Sequence, residues 1–508
     1  MGKIISKEDF IKIRPALAGK KIVMCHGVFD LVHPGHIIHL QQAKSIGDIL
    51  VVSITSAPYV RKGPGRPYFN DQMRMKFLSA LECIDYVMLS EDYTADDVIK
   101  VIQPNLYVKG QEYAKSENDI TGKIDEEAEL VRHYGGTVYY TSGQVFSSTK
   151  LINEAFPVFT DTVRNYMKEL KKSYSIDYIR DIMEKASELN VLVIGDIIID
   201  RYIYCKVQGT MSKDIGYSVR AERKEEYLGG TLAIARHIST VTPKVTVASV
   251  MGNEENIKRH IREKLHEKIN LHIETSNKIP TIIKEKFISS ENKAGEMQKL
   301  FAVNNVPESL PENTQALSKL KSWIMNNITK YNLVLLCDFG HGLVDRELMD
   351  IAQKQSEFLS VNCQTNSSNF GANLITKYNK TDLFALDLKE LKLAYPEEEQ
   401  DEKKLIKLAQ HLHAQGGWLT RGADGAVGIA NGKVLENCPA LTQQVKDTIG
   451  SGDAFFSIAS LFVAAGGSIE AGNFMGNVAA ALASNITGNK KSVEKVNILK
   501  YASTLLNV

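Results

Sequence analysis

The 508-residue sequence predicts two doubly wound α/β domains, each built on a parallel sheet. Three observations carry that expectation. The chain is longer than one ordinary hydrophobic core serves, so two or three domains are expected. Short apolar runs alternate with amphipathic helical stretches in two separate parts of the chain, which is the pattern of a parallel sheet covered by helices. Between those parts lies a polar, charged segment at helical period.

The first run opens with KIVMC (21–25), continues through HPGHIIHLQQAKSIG, DILVVSIT and the helical DQMRMKFLSALECI, and reaches YVMLS at 86–90. The second opens with NVLVIGDIIID (190–200) and continues through KVTVASVMG, NLVLLCDFG and GGWLTRGADGAVGIA into a helical carboxyl end. The segment DTVRNYMKELKKSYSIDYIRDIMEKASELN lies between them. These divisions give a domain over 1–155, a helical linker over 156–186 and a second domain over 187–508. The halves carry different motifs, so the chain is not an internal repeat.

Lys and Arg together number 61 and Asp and Glu 60. So balanced a chain offers no bulk attraction to nucleic acid or an anionic membrane, and neither is expected as a partner. Cys25, Cys83, Cys205, Cys337, Cys363 and Cys438 form no C-x-x-C pair, which argues against a disulfide framework and a structural zinc site. The charged start MGKIISKEDF and the lack of a long apolar stretch lead to the expectation of a cytoplasmic protein. Met1, Gly2 and Ser6 fit a myristoylation pattern too loose to set against that reading.

The first chemistry-bearing segment is HGVFDLVHPGHIIHL, residues 26–40, placed between a predicted strand and a predicted helix. Pro34 suits a first helical turn, and His33 and His36, three apart, can present both imidazoles from one side of it. Helix-start amides favour a phosphate, and two imidazoles beside them can hold oxygens on a phosphorus whose charge is rearranging. On a random helix the same two residues would be ordinary surface histidines. Here Gly27 precedes them, Phe29-Asp30 marks the strand end and Gly35 separates them, and the whole resembles the H-x-G-H signature of the cytidylyltransferase-like superfamily. Further matches follow at AKSIGD with Lys44, the basic turn Arg61-Lys62, PNLYVKG with Lys109, and SSTKLIN with Ser147, Ser148 and Thr149. Their order is similar to the adenylyltransferase half of the bifunctional heptose-phosphate enzymes.

That resemblance implies that His33 and His36 stabilise the transferring α-phosphoryl group. It implies nucleotide contacts from Gly27, Phe29, Lys44, Arg61, Lys109 and the 147–149 helix start. The Ser and Thr hydroxyls there can equally cap free amides, and Lys109 can equally be a solvated lysine after a strand. H-x-G-H is shared with class I aminoacyl-tRNA synthetases, and TMSKD at 210–214 superficially matches their second signature. TMSKD lies inside the second domain's own pattern, and the chain lacks a basic surplus, so that alternative is set aside.

The second segment is DTIGSGDAFF, residues 447–456. Gly450, Ser451 and Gly452 lack bulk where a backbone must approach a phosphate, and their amides can form an anion-holding nest at a helix start, with Asp453 at its opening. A lone glycine-rich turn ending in Asp is usually only a capped helix. This one resembles the D-T-x-G-[AS]-G-D signature of the ribokinase (PfkB-type) carbohydrate kinases, over about 320 residues of the chain. VIGDIIIDRY with Asp196 and Asp200, Gly229-Gly230 in YLGGTLAIARHI, PTIIK at 280–284 and LTRGADGAVGI with Thr420, Gly422 and Gly425 extend it. The resemblance implies a ribokinase-like domain with a small β lid, Asp453 as base and the 450–452 amides on the γ-phosphate. Asp200, Gly229 and Gly230 would face the sugar, and Thr420, Gly422 and Gly425 the nucleotide.

The pattern departs from the heptose kinases in three places. Ala233 stands where they carry Asn, VNCQTNSSNFGANL with Asn362 and Gln364 replaces their D-P-K segment, and Asp387-Leu-Lys-Glu390 replaces N-x-x-E. The domain order is also reversed. The expected activity is therefore double: phosphorylation of a sugar, as a heptose phosphate, and transfer of a nucleoside monophosphate to a sugar 1-phosphate. Magnesium would arrive with ATP or CTP, near Glu390 in the kinase half, and the protein would be a homo-oligomer. The alternative keeps the nucleotidyltransferase, with another sugar or polyol phosphate, and makes the second half a non-catalytic sugar-binding or oligomerisation module.

Overall fold

A computed structural model describes residues 2–110, 124–141, 159–211, 216–265, 268–289, 298–306, 314–365, 370–442 and 445–507. The chain divides into two compact units, residues 1–160 with 499–508, and residues 161–498. Among the described residues no helix is long and apolar enough to cross a membrane.

In the first unit the apolar runs become β1 (Lys3–Ile4), β2 (Ile22–Gly27), β3 (Ile49–Thr55), β4 (Tyr86–Ser90), β5 (Leu106–Gly110) and β6 (Thr137–Thr141). Their order is β1-β4-β3-β2-β5-β6, and every described pairing is parallel. Side chains alternate across each strand. Val23 and Cys25 of β2 therefore join Leu40 and Val52 in one core layer, and Ile22 and Met24 join Val51, Ile99 and Phe10 in the other. Strands buried on both faces read as continuous apolar runs, which is why KIVMC and ILVVSI were legible. From β2 the chain winds one way through β3 and β4, then returns to the other side for β5 and β6. The carboxyl ends of β2 and β5 thus border a switch point, the usual ligand crevice of an open parallel sheet.

The second unit begins before the expected domain start. Residues assigned to the linker form the helices Asp161–Ser173 and Ile176–Glu188, both inside the second unit. Each buries an apolar stripe, Val163, Tyr166, Met167 and Leu170 on the first and Ile179, Ile182, Met183 and Ala186 on the second. Tyr174 Oη donates to Glu470 at 2.9 Å, and Ser468 N donates to Tyr178 Oη at 3.0 Å. A narrow stripe among many charges reads as a connector in sequence and packs as a wall in three dimensions.

Its main sheet comprises β7 (Val191–Gly195), β10 (Val245–Gly252), β11 (Ile269–Ser276), β14 (Leu333–Asp338), β15 (Leu359–Cys363), β16 (Leu383–Asp387), β17 (Gly416–Thr420), β18 (Ala426–Ala430) and β19 (Lys433–Cys438). The order is β11-β10-β7-β14-β15-β16-β17-β18-β19, antiparallel only in its last two pairings. Here the winding reverses between β7 and β14, so the crevice opens beyond Gly195 and Asp338. A separate sheet, β13 (Lys299–Asn305), β12 (Ile282–Ser289), β8 (Ile197–Thr210) and β9 (Tyr217–Gly230), is the expected lid.

Candidate active sites

In the first unit the loop after β2 is held in a costly shape. Phe29 has φ +46°, a left-handed conformation that side chains rarely adopt and that costs about 1–3 kcal/mol. Buried Asp30 fixes it, accepting from the backbone N–H of Tyr68 and of Phe69 at 2.9 Å each and from Arg66 at 3.4 Å. His33 then caps the helix Pro34–Ser45, its Nδ1 accepting from His36 N at 3.4 Å. The same amide donates to His33 O at 2.9 Å, so backbone and ring close the turn together. The His33 and His36 rings stack at 3.9 Å between centroids, and Phe29 packs on His36 at 5.2 Å. Burial pushes the His36 imidazole down to about 3, helped by His33, His39 and Lys62, and burial lowers His33 too. The pair is neutral near pH 7, a pair of polar rings rather than a pair of cations.

Other expected residues divide. At Gly27 a Cβ would sit 3.1 Å from the Phe29 ring, which would have to give by a few tenths of an ångström to admit it. The Arg61 guanidinium lies 4.0 Å over the Tyr93 ring, in the loop that follows β3. Lys109 ends β5 beside the switch point, with its ammonium 2.9 Å from Glu127 Oε2, so it is neither solvated nor uncommitted. Lys44 is not brought to the site. It occupies the last turn of the helix that His33 caps, about 16 Å along it at 1.5 Å per residue. Its ammonium donates to Asp48 O at 2.6 Å and Asp85 at 2.7 Å, closing the helix onto the next strand instead. Ser147, Ser148 and Thr149 lie outside the described residues. The sequence quoted Lys62 in the basic turn without giving it a role, and its charge acts on His36, whereas His39, whose Nδ1 is 2.8 Å from Thr141 Oγ1, was missed.

In the second unit the helix Ser451–Ala464 starts from Gly450 at φ +81°, and no side chain caps it. A methyl group at Gly450 would overlap Asn489, so only glycine fits. Ser451 N donates to Thr448 O at 3.3 Å, and among the described residues the Gly452 and Asp453 amides make no backbone bond and are left to face an anion. Half-buried Asp453 stands in that turn. Burial raises its carboxyl to about 7, with Asp200 as the next cause. Gln364 Nε2 donates to Asp453 Oδ1 at 3.4 Å and to Asn362 Oδ1 at 2.8 Å. The two substituted residues therefore hold the carboxylate rather than leaving it unsupported.

Asp200 is buried on the lid strand β8 and pairs with Lys286 at 2.6 Å. A methyl group at Gly229 would overlap its carboxylate, which accounts for that glycine, while Gly230 has φ +55° at the start of the next helix. Asp196, just beyond β7, is buried, raised to about 7 by burial and then by Asp338, and its Oδ2 has no hydrogen-bond partner among the described residues. Lys284 faces Asp200 in register on β12 and is lowered by burial. The sequence quoted Lys284 without giving it a role. Ala233 is a buried methyl in the helix that follows β9.

Thr420 closes β17 with its hydroxyl on Leu386 O at 3.3 Å, and Gly422 and Gly425 turn the chain back with φ +60° and +87°. Asp387 and Glu390 form a capping box, Asp387 accepting from Glu390 N and Glu390 from Asp387 N, both at 2.8 Å. Glu390 also accepts from Thr365 N at 2.9 Å. Its oxygens are thus committed to backbone amides. Among the described residues no three acidic, His or Cys groups gather into a metal cage.

Comparison with known proteins agrees with this geometry. Residues 24–154 match the cytidylyltransferase-like family, and residues 188–495 match the pfkB family carbohydrate kinases. The bifunctional protein HldE of Pelobacter propionicus is 40% identical over 126 residues, covering 24% of this chain and 24% of that protein. HldE of Geobacter metallireducens is 42% identical over 122 residues, again 24% of each. The chain thus aligns with about a quarter of the length of these relatives. A phosphofructokinase-2 mutant from Escherichia coli has the fold of the second unit, with TM-score 0.50 at 15% identity over 62% of this chain and 99% of that one. The first unit thus resembles cytidylyltransferase-like proteins, and the second has the sequence pattern and fold of a carbohydrate kinase family. The chain belongs to the pfkB family of carbohydrate kinases, with a cytidylyltransferase-like domain at its amino end.

Proposed function

We propose that the chain activates a sugar in two reactions, one per unit. In the second unit ATP phosphorylates a sugar, as a heptose phosphate: Asp453 takes the acceptor hydroxyl proton, and the 450–452 amides hold the charge on the transferring phosphoryl group. Asp200, fixed by Lys286, faces the sugar hydroxyls. In the first unit a sugar 1-phosphate oxygen attacks the α-phosphorus of the nucleoside triphosphate and pyrophosphate leaves. His33 and His36 stabilise the transferring phosphoryl group as stacked, neutral rings, each of which carries a single N–H. When bound with the nucleotide, magnesium would supply neutralisation of phosphate charge in both reactions. The products feed surface-polysaccharide synthesis by a cytoplasmic homo-oligomer.

The observation that carries the kinase reading is Asp453, raised to about 7 at an uncapped helix start. A base is most useful when its pKa lies near the working pH, and such a group is worth roughly a hundred- to ten-thousand-fold. The test supplies the full chain with ATP or CTP and a panel of heptose, hexose and polyol phosphates, following ADP and pyrophosphate separately. ADP from a heptose phosphate and pyrophosphate from a sugar 1-phosphate are expected. Sugar-induced thermal stabilisation with no ADP from any sugar would instead make the second unit a binding module.

A further inference from the structure

The last residues of the chain, 499–508, group with the first unit, although the first 160 residues already form its sheet. Among them Tyr501 is almost fully buried, at 1% exposure. Its ring lies on the loop that carries Arg61 and Lys62. Gly63 passes beneath that ring with φ +91°, and a methyl group at this position would overlap it. Arg66, whose guanidinium pairs with Asp30, is electrostatically coupled to the Tyr501 hydroxyl.

The loop needs such a support. It contains two glycines in the left-handed region, Gly63 and Gly65, and no helix or strand of its own from 60 to 70. Glycines of this kind have much conformational entropy to lose on ordering. Asp30 and Arg66 hold one end of the loop, and Tyr501 covers the middle. Lys62, next to Gly63, is the residue whose charge acts on His36. The contact therefore runs from Tyr501 through Gly63 to Lys62 and the imidazole pair.

We infer that Tyr501 is a positioning residue for nucleotidyl transfer: the carboxyl terminus of the chain holds the basic loop 61–66 in the shape that meets the triphosphate. The inference rests on the nucleotidyltransferase reading of the first unit for its kinetic part only. The ring and not the hydroxyl covers Gly63, so Tyr501→Phe retains the support and Tyr501→Ala loses it.

The experiment uses the full chain as wild type, Y501A and Y501F. Trypsin cleavage after Arg61 and Lys62 is followed by mass spectrometry, and KM and kcat are measured with ATP and a heptose 1-phosphate. Loss of a cover that contributes about 1.4 kcal/mol to local closure speeds cleavage of Y501A about tenfold, with Y501F near wild type. KM for ATP in nucleotidyl transfer rises by a similar factor in Y501A, more than kcat falls, while phosphorylation by the same preparation is unchanged. Equal cleavage in Y501A and wild type overturns the inference. So does cleavage in Y501F as fast as in Y501A. A wild type without nucleotidyl transfer would defeat the reading of the first unit, yet the cleavage comparison would still decide the support.

Discussion

Burial favours the uncharged form of Asp453 and of the histidine pair alike, but it moves a carboxyl up and an imidazole down, and this gives the two reactions different responses to pH. Burial and the nearby Asp200 carboxylate hold Asp453 near 7, so it is protonated and idle as a base at pH 6 and ionised at pH 8. Phosphorylation kcat/KM is expected to rise through about pH 7 to a plateau. Gln364 donates to the carboxylate and lowers its pKa. Gln364→Ala should therefore move the rising limb to higher pH while leaving the plateau within about tenfold of wild type. A pH–rate profile checks both, and an unmoved limb would contradict the role given to Gln364. His36, pushed down to about 3, stays neutral over the same range, so nucleotidyl transfer should show no limb from it. Asp453 was legible in sequence because its neighbours are local. The bond from Gln364 spans 89 positions, and no spacing rule reaches that far. Lys44 failed for the converse reason, since a lysine near a motif in sequence stands at the far end of the helix the motif begins.

Elements put these residues in place by ending where they do. β2 and β7 each stop on a glycine at a switch point, and the helix from Ser451 starts on one. Across the lid strands Gly229 pairs with Ile198, and the neighbouring Asp200 carboxylate lies over it where a side chain would stand. Gly229→Ala should displace the Asp200 carboxylate from Lys286, raising the sugar KM in phosphorylation by about tenfold or more with nucleotidyl transfer intact. Parallel steady-state assays test this, and an unchanged sugar KM would remove Asp200 from the sugar site. Strands and helices with strong periodicity were legible in the sequence. The helices Asp161–Ser173 and Ile176–Glu188 were placed correctly as helices, but their buried stripes are too narrow among lysines and glutamates to reveal which unit they join. Asp387 and Glu390 were expected beside magnesium, and the three-residue spacing suits a capping box equally well.

The chain forms two units, each built on a largely parallel sheet. Their existence was legible because each sheet is a series of apolar runs, whereas the return of residues 499–508 to the first unit was not. That association depends on packing between segments more than 400 positions apart, and composition carries no trace of it. If each unit carries its own catalytic groups, ADP and pyrophosphate release respond separately to His36→Ala and Asp453→Asn in full-length chains. His36→Ala is expected to lower pyrophosphate release about 100- to 1,000-fold with ADP release unchanged, and Asp453→Asn to lower ADP release at least 100-fold with pyrophosphate release unchanged. Wild-type ADP release from Asp453→Asn, or loss of both activities in either folded variant, would contradict the account.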